Sequence, residues 1–363
     1  MNNLNSKRLI KYLSDFVSIN SESGNESDFR NFLIQQLIKL GYDNYRVDNI
    51  GNLYIQIDGI GPKLMINTHL DTAKNGQNIR PQIKQINGEK YITSGGKTIL
   101  GADPKATIAA LFEVLSVLQE NKFNNRNIEL TFTCNEETGI PTASEIKSDA
   151  KYCIVPDRGT QLGEIIIEAP DAKVFTVEIQ GKTAYATTSY KQGVDSIRAS
   201  AEFIQTIVLG NISDETVTNL GIINGGEMPS MVCDRVVLRG SCYSFNRTES
   251  DNYFQNLNIV LSGIDKKYKT NSILNYDEHF PAFTTPEKSK IVKIVQQSIS
   301  QVGIDPKIKK YLAVSNANLI NQLGIPTVLI SYGVENQHTV NERISVRNLE
   351  KLTEILMNIF RDS

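Results

Sequence analysis

The sequence predicts an α/β protein of two domains, one inserted in the other, on three observations. Its 363 residues exceed what one average hydrophobic core organises. Up to about residue 170, and again from 281 to 363, apolar strands alternate with amphipathic helices, the pattern of a sheet layered by helices on both faces. Between these segments, residues 171–280 run strand, helix, two strands, helix, strand, which is the βαββαβ order of a ferredoxin-like unit.

The elements follow from spacing. Leu9, Ile10, Leu13, Phe16 and Val17 recur at helical period and predict a docked helix over Ser6 to Ser18. Phe29, Phe32, Leu33 and Leu37 predict a second helix from about Asn25 to Leu40, stopped by Gly41. Alternation marks a strand from Leu53 to Ile57, and another from Lys63 to Asn67 leads into His69 and Asp71. Pro104, suited to a first helical turn, opens a long helix from Lys105 to about Glu120. Strands Ile128 to Thr133 and Tyr152 to Val155 end just before Glu136-Glu137 and Asp157. The inserted segment reads as strand Lys173 to Gln180, helix Ser196 to Val208, strands Thr216 to Ile223 and Arg235 to Tyr243, helix Glu249 to Leu261 and strand Ser272 to Tyr276. The chain then returns to α/β with a helix through Ile291, Val292 and Val295, a strand Thr327 to Ser331, the loop of His338 and a closing helix Leu349 to Phe360.

Composition excludes several function classes. Hydrophobic content is 40%, charged content 21% and formal net charge -2, so there is no basic footprint for nucleic acid and no acidic tail. The first twenty residues contain no apolar stretch of signal-peptide or membrane length. Four dispersed cysteines without a C-x-x-C pair suit reduced packing residues, and the expected setting is cytoplasmic. Ser94-Gly95-Gly96-Lys97-Thr98 ends like a phosphate-binding loop, but Tyr91 stands where its first glycine must be, so a hairpin turn is expected there instead. The absence of a G-x-S-x-G elbow argues against a serine hydrolase of that type.

The chain has three histidines, and two of them fall among acidic residues at predicted strand ends or helix starts. Open α/β sheets bind ligands beyond the carboxyl ends of their strands, where His69, Glu136, Glu137, Asp157 and His338 are expected. That is the ligand set of a two-metal hydrolase. Two neighbouring cations repel, so a bridging carboxylate is required, and Asp103 at a helix start is well placed. Metals there would bring a water's pKa to roughly 7 and clamp the charge of a tetrahedral intermediate. Adjacent glutamates can supply one ligand and one base, and Asp71, two residues after His69, can orient its imidazole. His279 is not expected to be a ligand.

Taken together, Thr68-His69-Leu70-Asp71-Thr72, Leu100-Gly101-Ala102-Asp103-Pro104-Lys105-Ala106, Asn135-Glu136-Glu137-Thr138-Gly139 and Asn336-Gln337-His338-Thr339 resemble the dizinc metallopeptidases related to peptidase T, carboxypeptidase G and aminoacylase. The peptidase T-like branch is the most similar. The resemblance covers nearly the whole chain and implies a zinc-exopeptidase-like catalytic domain (1–170 and 281–363) with a mixed sheet, plus an inserted lid and dimerisation domain (171–280). It implies two zinc ions per chain, replaceable by cobalt or manganese. His69 and Asp157 would hold one, Glu137 and His338 the other, and Asp103 both. Glu136 would be the general base. The family has a cis peptide after the bridging aspartate, which an ordinary residue adopts at a cost of about 2.5 to 4 kcal/mol. Pro104 makes a cis Asp103–Pro104 bond the expectation here.

The substrate side departs from the family. Tyr185 stands where relatives have a histidine that reaches a partner's site, and a tyrosine hydroxyl donates a hydrogen bond without positive charge. Ser230 replaces an asparagine, and Tyr243 replaces a carboxylate-binding arginine, removing bidentate recognition. Ala313-Val314-Ser315-Asn316 replaces Gly-Gly-Ser-Asp. Arg239 and Arg247 are alternative anion binders or simply solvated. The leading expectation is a dizinc exopeptidase, with a peptidase T-like tripeptide aminopeptidase foremost. Deacylation of N-acyl amino acids, and a metal-stabilised binding protein without hydrolysis, are the alternatives. The partner is a small peptide or N-acyl amino acid, and neither nucleic acid nor membrane. The family implies a homodimer through the inserted domain, and a monomer stays open.

Overall fold

The computed structural model describes residues 4–121, 123–140 and 142–361. In chain order the first segment holds α1 (Ser6–Val17), α2 (Ser27–Lys39), β1 (Tyr45–Val47), β2 (Leu53–Ile57), β3 (Ile60–His69), β4 (Gln82–Ile86), β5 (Glu89–Thr93), α3 (Ala102–Asn121), β6 (Arg126–Thr133), β7 (Tyr152–Arg158) and β8 (Glu164–Ala169). Next come β9 (Asp171–Gln180), α4 (Ser196–Thr206), β10 (Gly210–Asn211), β11 (Thr216–Gly225), β12 (Arg235–Ser244), α5 (Arg247–Tyr268) and β13 (Asn271–Phe280). The chain closes with β14 (Phe283–Thr284), α6 (Lys290–Ser300), β15 (Lys307–Lys310), α7 (Asn316–Gln322), β16 (Thr327–Ser331), β17 (Val334–Glu335), β18 (Arg343–Ser345) and α8 (Val346–Phe360). These elements form two compact units: residues 1–168, 283–310 and 315–363, and residues 169–282 with 311–314.

The first unit is built on a nine-stranded mixed sheet in the order β1-β2-β6-β3-β7-β16-β8-β14, with β15 beside β8. Its central strands β6, β3, β7 and β16 run parallel. They read as unbroken apolar runs because helices cover both faces. α3 is buried through nearly its whole length, and Phe16 of α1 sits edge-on to Phe112 of α3 and to Phe29 of α2, with centroids 5.0 and 5.9 Å apart. Burying each such ring is worth about 1.5–3 kcal/mol. The helix ends follow their local chemistry: Asn5 caps α1 by accepting from Arg8 N, and Gly41 takes the left-handed conformation (φ +84°) just beyond α2.

A second sheet of this unit, in the order β17-β18-β5-β4, carries the hairpin β4–β5. Its two-residue turn is Asn87-Gly88, both at positive φ, as the twist of paired strands favours. The expected turn at Gly95-Gly96 is therefore corrected: that segment follows β5 as an irregular loop, and Asn-Gly has already made the reversal.

The second unit holds one antiparallel sheet in the order β10-β11-β12-β9-β13. Its four long strands have the 2-3-1-4 order of the ferredoxin-like arrangement. Phe175, Val177 and Ile179 of β9 and Val236 and Leu238 of β12 pack on Phe203 of α4 and Phe254 and Leu257 of α5, forming a core of its own. Among the described residues no helix is long and apolar enough to cross a membrane. All four cysteines are unpaired and buried.

Candidate metal centre

Three neighbouring strands deliver the centre. β3 ends at His69, paired in parallel with Thr133 at the end of β6, and the β6 chain then turns through Asn135 (φ +57°) into Glu136 and Glu137. On the other side, β7 pairs with β3 in a register (Leu64 with Tyr152) that, carried forward, sets Asp157 beside His69. Asp157 lies inside β7, which runs to Arg158, and not beyond the strand end as expected. The strand is longer because β16 pairs with β7 as far as Arg158. Asp103 enters from the start of α3, across a cis Asp103–Pro104 bond. His338 comes from the loop after β17, at φ +62°.

All five expected ligands converge. His69, 1% exposed, presents Nε2 at 3.2 Å from Asp103 Oδ1 and 3.4 Å from Asp157 Oδ1. His338 presents Nε2 at 3.0 Å from both Asp103 Oδ2 and Glu137 Oε1. One aspartate thus offers an oxygen to each imidazole. Two overlapping sets, His69/Glu136/Asp157 and His69/Asp103/Glu137, bring their donor atoms within 4.8 Å of one another. His69 Nδ1 lies 3.3 Å from Asp71 Oδ1, and Asp71 accepts from Ser23 Oγ (2.6 Å) and from the N–H groups of Glu136 (3.1 Å) and Glu137 (3.0 Å). Asp71 therefore ties the His69 imidazole to the glutamate pair.

Burial opposes charge on these groups, and proximity decides the outcome. Burial favours a neutral His69, but Asp103, Asp157 and Asp71 outweigh it and raise its pKa well above the ordinary value. Hydrogen bonds to Asp103 and Glu137 push His338 up to about 11. Against its own burial, Asp103 is held well below the usual carboxylate range by His338 and His69. Burial pushes Asp157 up to about 6 in spite of His69. Burial also raises Glu136 well above its ordinary value, against His69 and reinforced by Asp157, Glu137 and Asp71. A carboxylate of raised proton affinity is what general-base work near neutral pH requires.

Sequence reasoning missed the supporting shell. Gln337 Nε2 donates to Asp103 Oδ2 at 2.6 Å and lies 2.6 Å from the hydroxyl of fully buried Tyr332. Gly159 makes room for it, since a Cβ there would come within 1.7 Å of Gln337 Oε1. Glu26 accepts from Gly24 N and Asn135 N, holding the turn before Glu136. Buried Glu342 accepts from the backbone of the Asp103 loop. Burial, with Asp103 adding, pushes Glu342 up to about 7.

The donor set fits divalent cations. Six carboxylates, those of Asp71, Asp103, Glu136, Glu137, Asp157 and Glu342, gather about two imidazoles, and the buried amine of Lys105 is within electrostatic reach of Glu342. Burial depresses Lys105 to about 7, and its Nζ donates to Ile19 O. Buried Glu137 Oε1 faces the His338 imidazole at 3.0 Å. Anions in such excess need additional positive charge.

The substrate-side residues are more dispersed. Tyr185 and Ser230 are adjacent in the second unit: Tyr185 bridges Met231 and Ala186 N donates to Ser230 O. Tyr243 lies near the other end of the same sheet, opposite Ala172, while the β12 start opposite Gln180 is the end nearer Tyr185. Asn316 is 2% exposed in the first unit and donates to Thr133 Oγ1 at 2.8 Å, below the β6 end, with Ser315 capping α7. Arg239 and Arg247 are solvated, and His279 is in β13, outside the ligand sets.

The whole chain has counterparts among known proteins. It is 30% identical to a tripeptidase from Staphylococcus aureus, with a TM-score of 0.91 and 98% of each chain covered. It is 29% identical to the aminopeptidase PepT from Bacillus cereus, with a TM-score of 0.85 and again 98% of each covered. Peptidase T of Clostridium perfringens is 25% identical over 368 residues, which are 91% of this chain and 90% of that protein. Residues 65–362 match the pattern of peptidase family M20/M25/M40. With that match and the convergent His69, Asp103, Glu137, Asp157 and His338, the chain belongs to peptidase family M20/M25/M40, as a hydrolytic enzyme of its peptidase T-like branch.

Proposed function

We propose that this enzyme is a dizinc exopeptidase that releases the N-terminal residue of tripeptides or similarly small peptides. The observation that carries this reading is the pair of imidazoles from opposite ends of the chain, each facing one oxygen of buried Asp103. His69 and Asp157 would hold one ion and Glu137 and His338 the other, with Asp103 offering an oxygen to each side. Zinc at these positions would supply Lewis acidity for the scissile carbonyl and the attacking water. Glu136 takes the water's proton and passes it to the leaving amine. Asp71 Oδ1 faces the second nitrogen of His69 at 3.3 Å, which favours the proton on that nitrogen, and through the Glu136 N–H it keeps the base in register with that ligand. The tripeptide preference is supported by the tripeptidase, PepT and peptidase T similarities.

Tyr185, Ser230 and Tyr243 are assigned to substrate recognition, and the inserted unit to lid and dimerisation roles, on the strength of the family resemblance. For Asn316 the bond to Thr133 supports an indirect role beneath the site. The test is a panel of dipeptides, tripeptides and N-acyl amino acids assayed with zinc, cobalt or manganese. Release of the N-terminal residue from tripeptides is expected. Preferential cleavage of acylated amino acids would replace this reading with deacylation. Sedimentation of the same preparation should give a dimer, and a monomer at assay concentration would remove the dimerisation role.

A further inference from the structure

Four residues after His338, Glu342 contributes a carboxylate that is 1% exposed and spends both oxygens on another loop's backbone. Oε1 accepts from Asp103 N at 3.0 Å, and Oε2 accepts from Leu100 N and Gly101 N, each at 3.2 Å. That loop is confined on its other side. Gly101 stands at φ +69°, and a Cβ there would come within 3.2 Å of Thr72 and Ile79 side chains. The same short segment sends Gln337 to Asp103 Oδ2. Asp103 is therefore held at its backbone by Glu342 and at its carboxylate by Gln337, both from the loop that carries His338.

We infer that Glu342 is a positioning residue for the metal pair: it clamps the Leu100–Asp103 turn to the His338 loop, so that the shared carboxylate and the terminal imidazole hold one spacing. This inference rests on the two-metal reading above. An aspartate that must serve two ions tolerates little displacement, and groups that orient metal ligands are worth roughly ten- to a hundredfold in metal affinity. Glutamine cannot take over. Three N–H donors approach two oxygens, and an amide presents one oxygen and one NH₂, so at least one buried N–H loses its acceptor.

The test compares the full-length wild type, Glu342→Gln, Glu342→Asp and a control, Glu113→Gln. The control loosens the Arg8 ion pair on α3, away from the ligand loops. Each protein is titrated with cobalt(II), the visible d–d absorption is followed, and the melting temperature is recorded by circular dichroism. Wild type should bind two cobalt ions. Glu342→Gln should lose roughly ten- to a hundredfold in affinity for at least one ion, with an altered absorption band. Glu342→Asp, with its oxygens drawn back by one methylene, should fall between. Glu113→Gln should melt earlier with the wild-type spectrum and affinity. A folded Glu342→Gln that binds cobalt as wild type does would overturn the inference, as would the wild-type result in Glu342→Asp if the amide variant does not fold. The same spectral change in Glu113→Gln would also overturn it, by exposing general destabilisation. Fewer than two ions on wild type would instead overturn the two-metal reading.

Discussion

The nine-stranded and the five-stranded sheets of this enzyme bury their strands differently. In the nine-stranded sheet the last six residues of β3, the last six of β6 and all five of β16 are buried, with no alternation. In the five-stranded sheet, β9 and β12 alternate over most of their length, burying every second side chain. A strand packed on both faces cannot slide or tilt without opening a cavity, so its end is a fixed point from which a ligand can be aimed. A strand packed on one face leaves the other free to change. His69 and Asp157 sit on strands of the first kind, whereas Tyr243 sits on the freer face of the second, between buried Cys242 and Ser244. The expected metal ligands are thus anchored where substitution is costly, and Tyr243 lies where it is cheap.

The sharpest way to break this contrast is Glu136→Gln. Turnover should fall by about 10²- to 10⁴-fold with metal content unchanged by elemental analysis. Undiminished turnover would remove Glu136 from its role as base. Next in size, Phe112→Ala and Phe203→Ala each remove a fully buried ring, one from each unit, and should each cost about 3–5 kcal/mol in denaturant unfolding. Of the two, only Phe112→Ala, which opens a cavity in the packing of the helix that Asp103 begins, should also weaken metal binding, whereas the isosteric Glu113→Gln leaves that packing in place. Equal weakening by Phe203→Ala would show that the inserted core supports the centre as strongly as the first.

A third test uses protons. In the metal-free protein His338 is raised to about 11 from 6.5, so its contribution to stability is fully present below about 6.5 and is lost as the pH climbs towards 11. An ion binding there must displace that proton, so affinity should rise by up to about tenfold per pH unit between pH 7 and 9. Calorimetry in two buffers of different ionisation enthalpy should detect the proton released. A pH-independent affinity would exclude His338 as a ligand. The smallest effect is expected at exposed Tyr185: Tyr185→Phe removes one neutral donor and should lower kcat/KM by about two- to tenfold. A larger loss would make Tyr185 a principal contact.

Much of this was legible in the sequence because it depends on side chains with recognisable chemistry. Paired strands and amphipathic helices declare themselves by period, and a histidine or carboxylate at a strand end declares itself by type. The family resemblance then sorted His69, Asp103, Glu137, Asp157 and His338 into ligands. The supporting shell was not legible, for a physical reason. Glu342 and Glu26 receive backbone N–H groups, and a backbone donor leaves no mark in the sequence. Gln337 depends on the room left by Gly159, far away along the chain. The Asn87-Gly88 turn had a readable signal, whereas Gly95-Gly96 drew attention through its likeness to a phosphate loop. Asn316 reads as a substrate contact by alignment with its family, but its partner, Thr133, is settled only by the packing of α7 against the strand ends.

The sheet order has a further consequence for how the chain is assembled. β8, which leads into the inserted unit, and β14, which leads out of it, are hydrogen-bonded neighbours, and Thr285 N donates to Ile167 O at 2.7 Å. More than a hundred residues therefore leave and re-enter the catalytic sheet through a gap that a tight turn could close. Closing a loop costs entropy that grows only with the logarithm of its length, so the insertion adds little to the burden of pairing these two strands. The pairing of β8 with β14 thus depends little on how long the chain between them is.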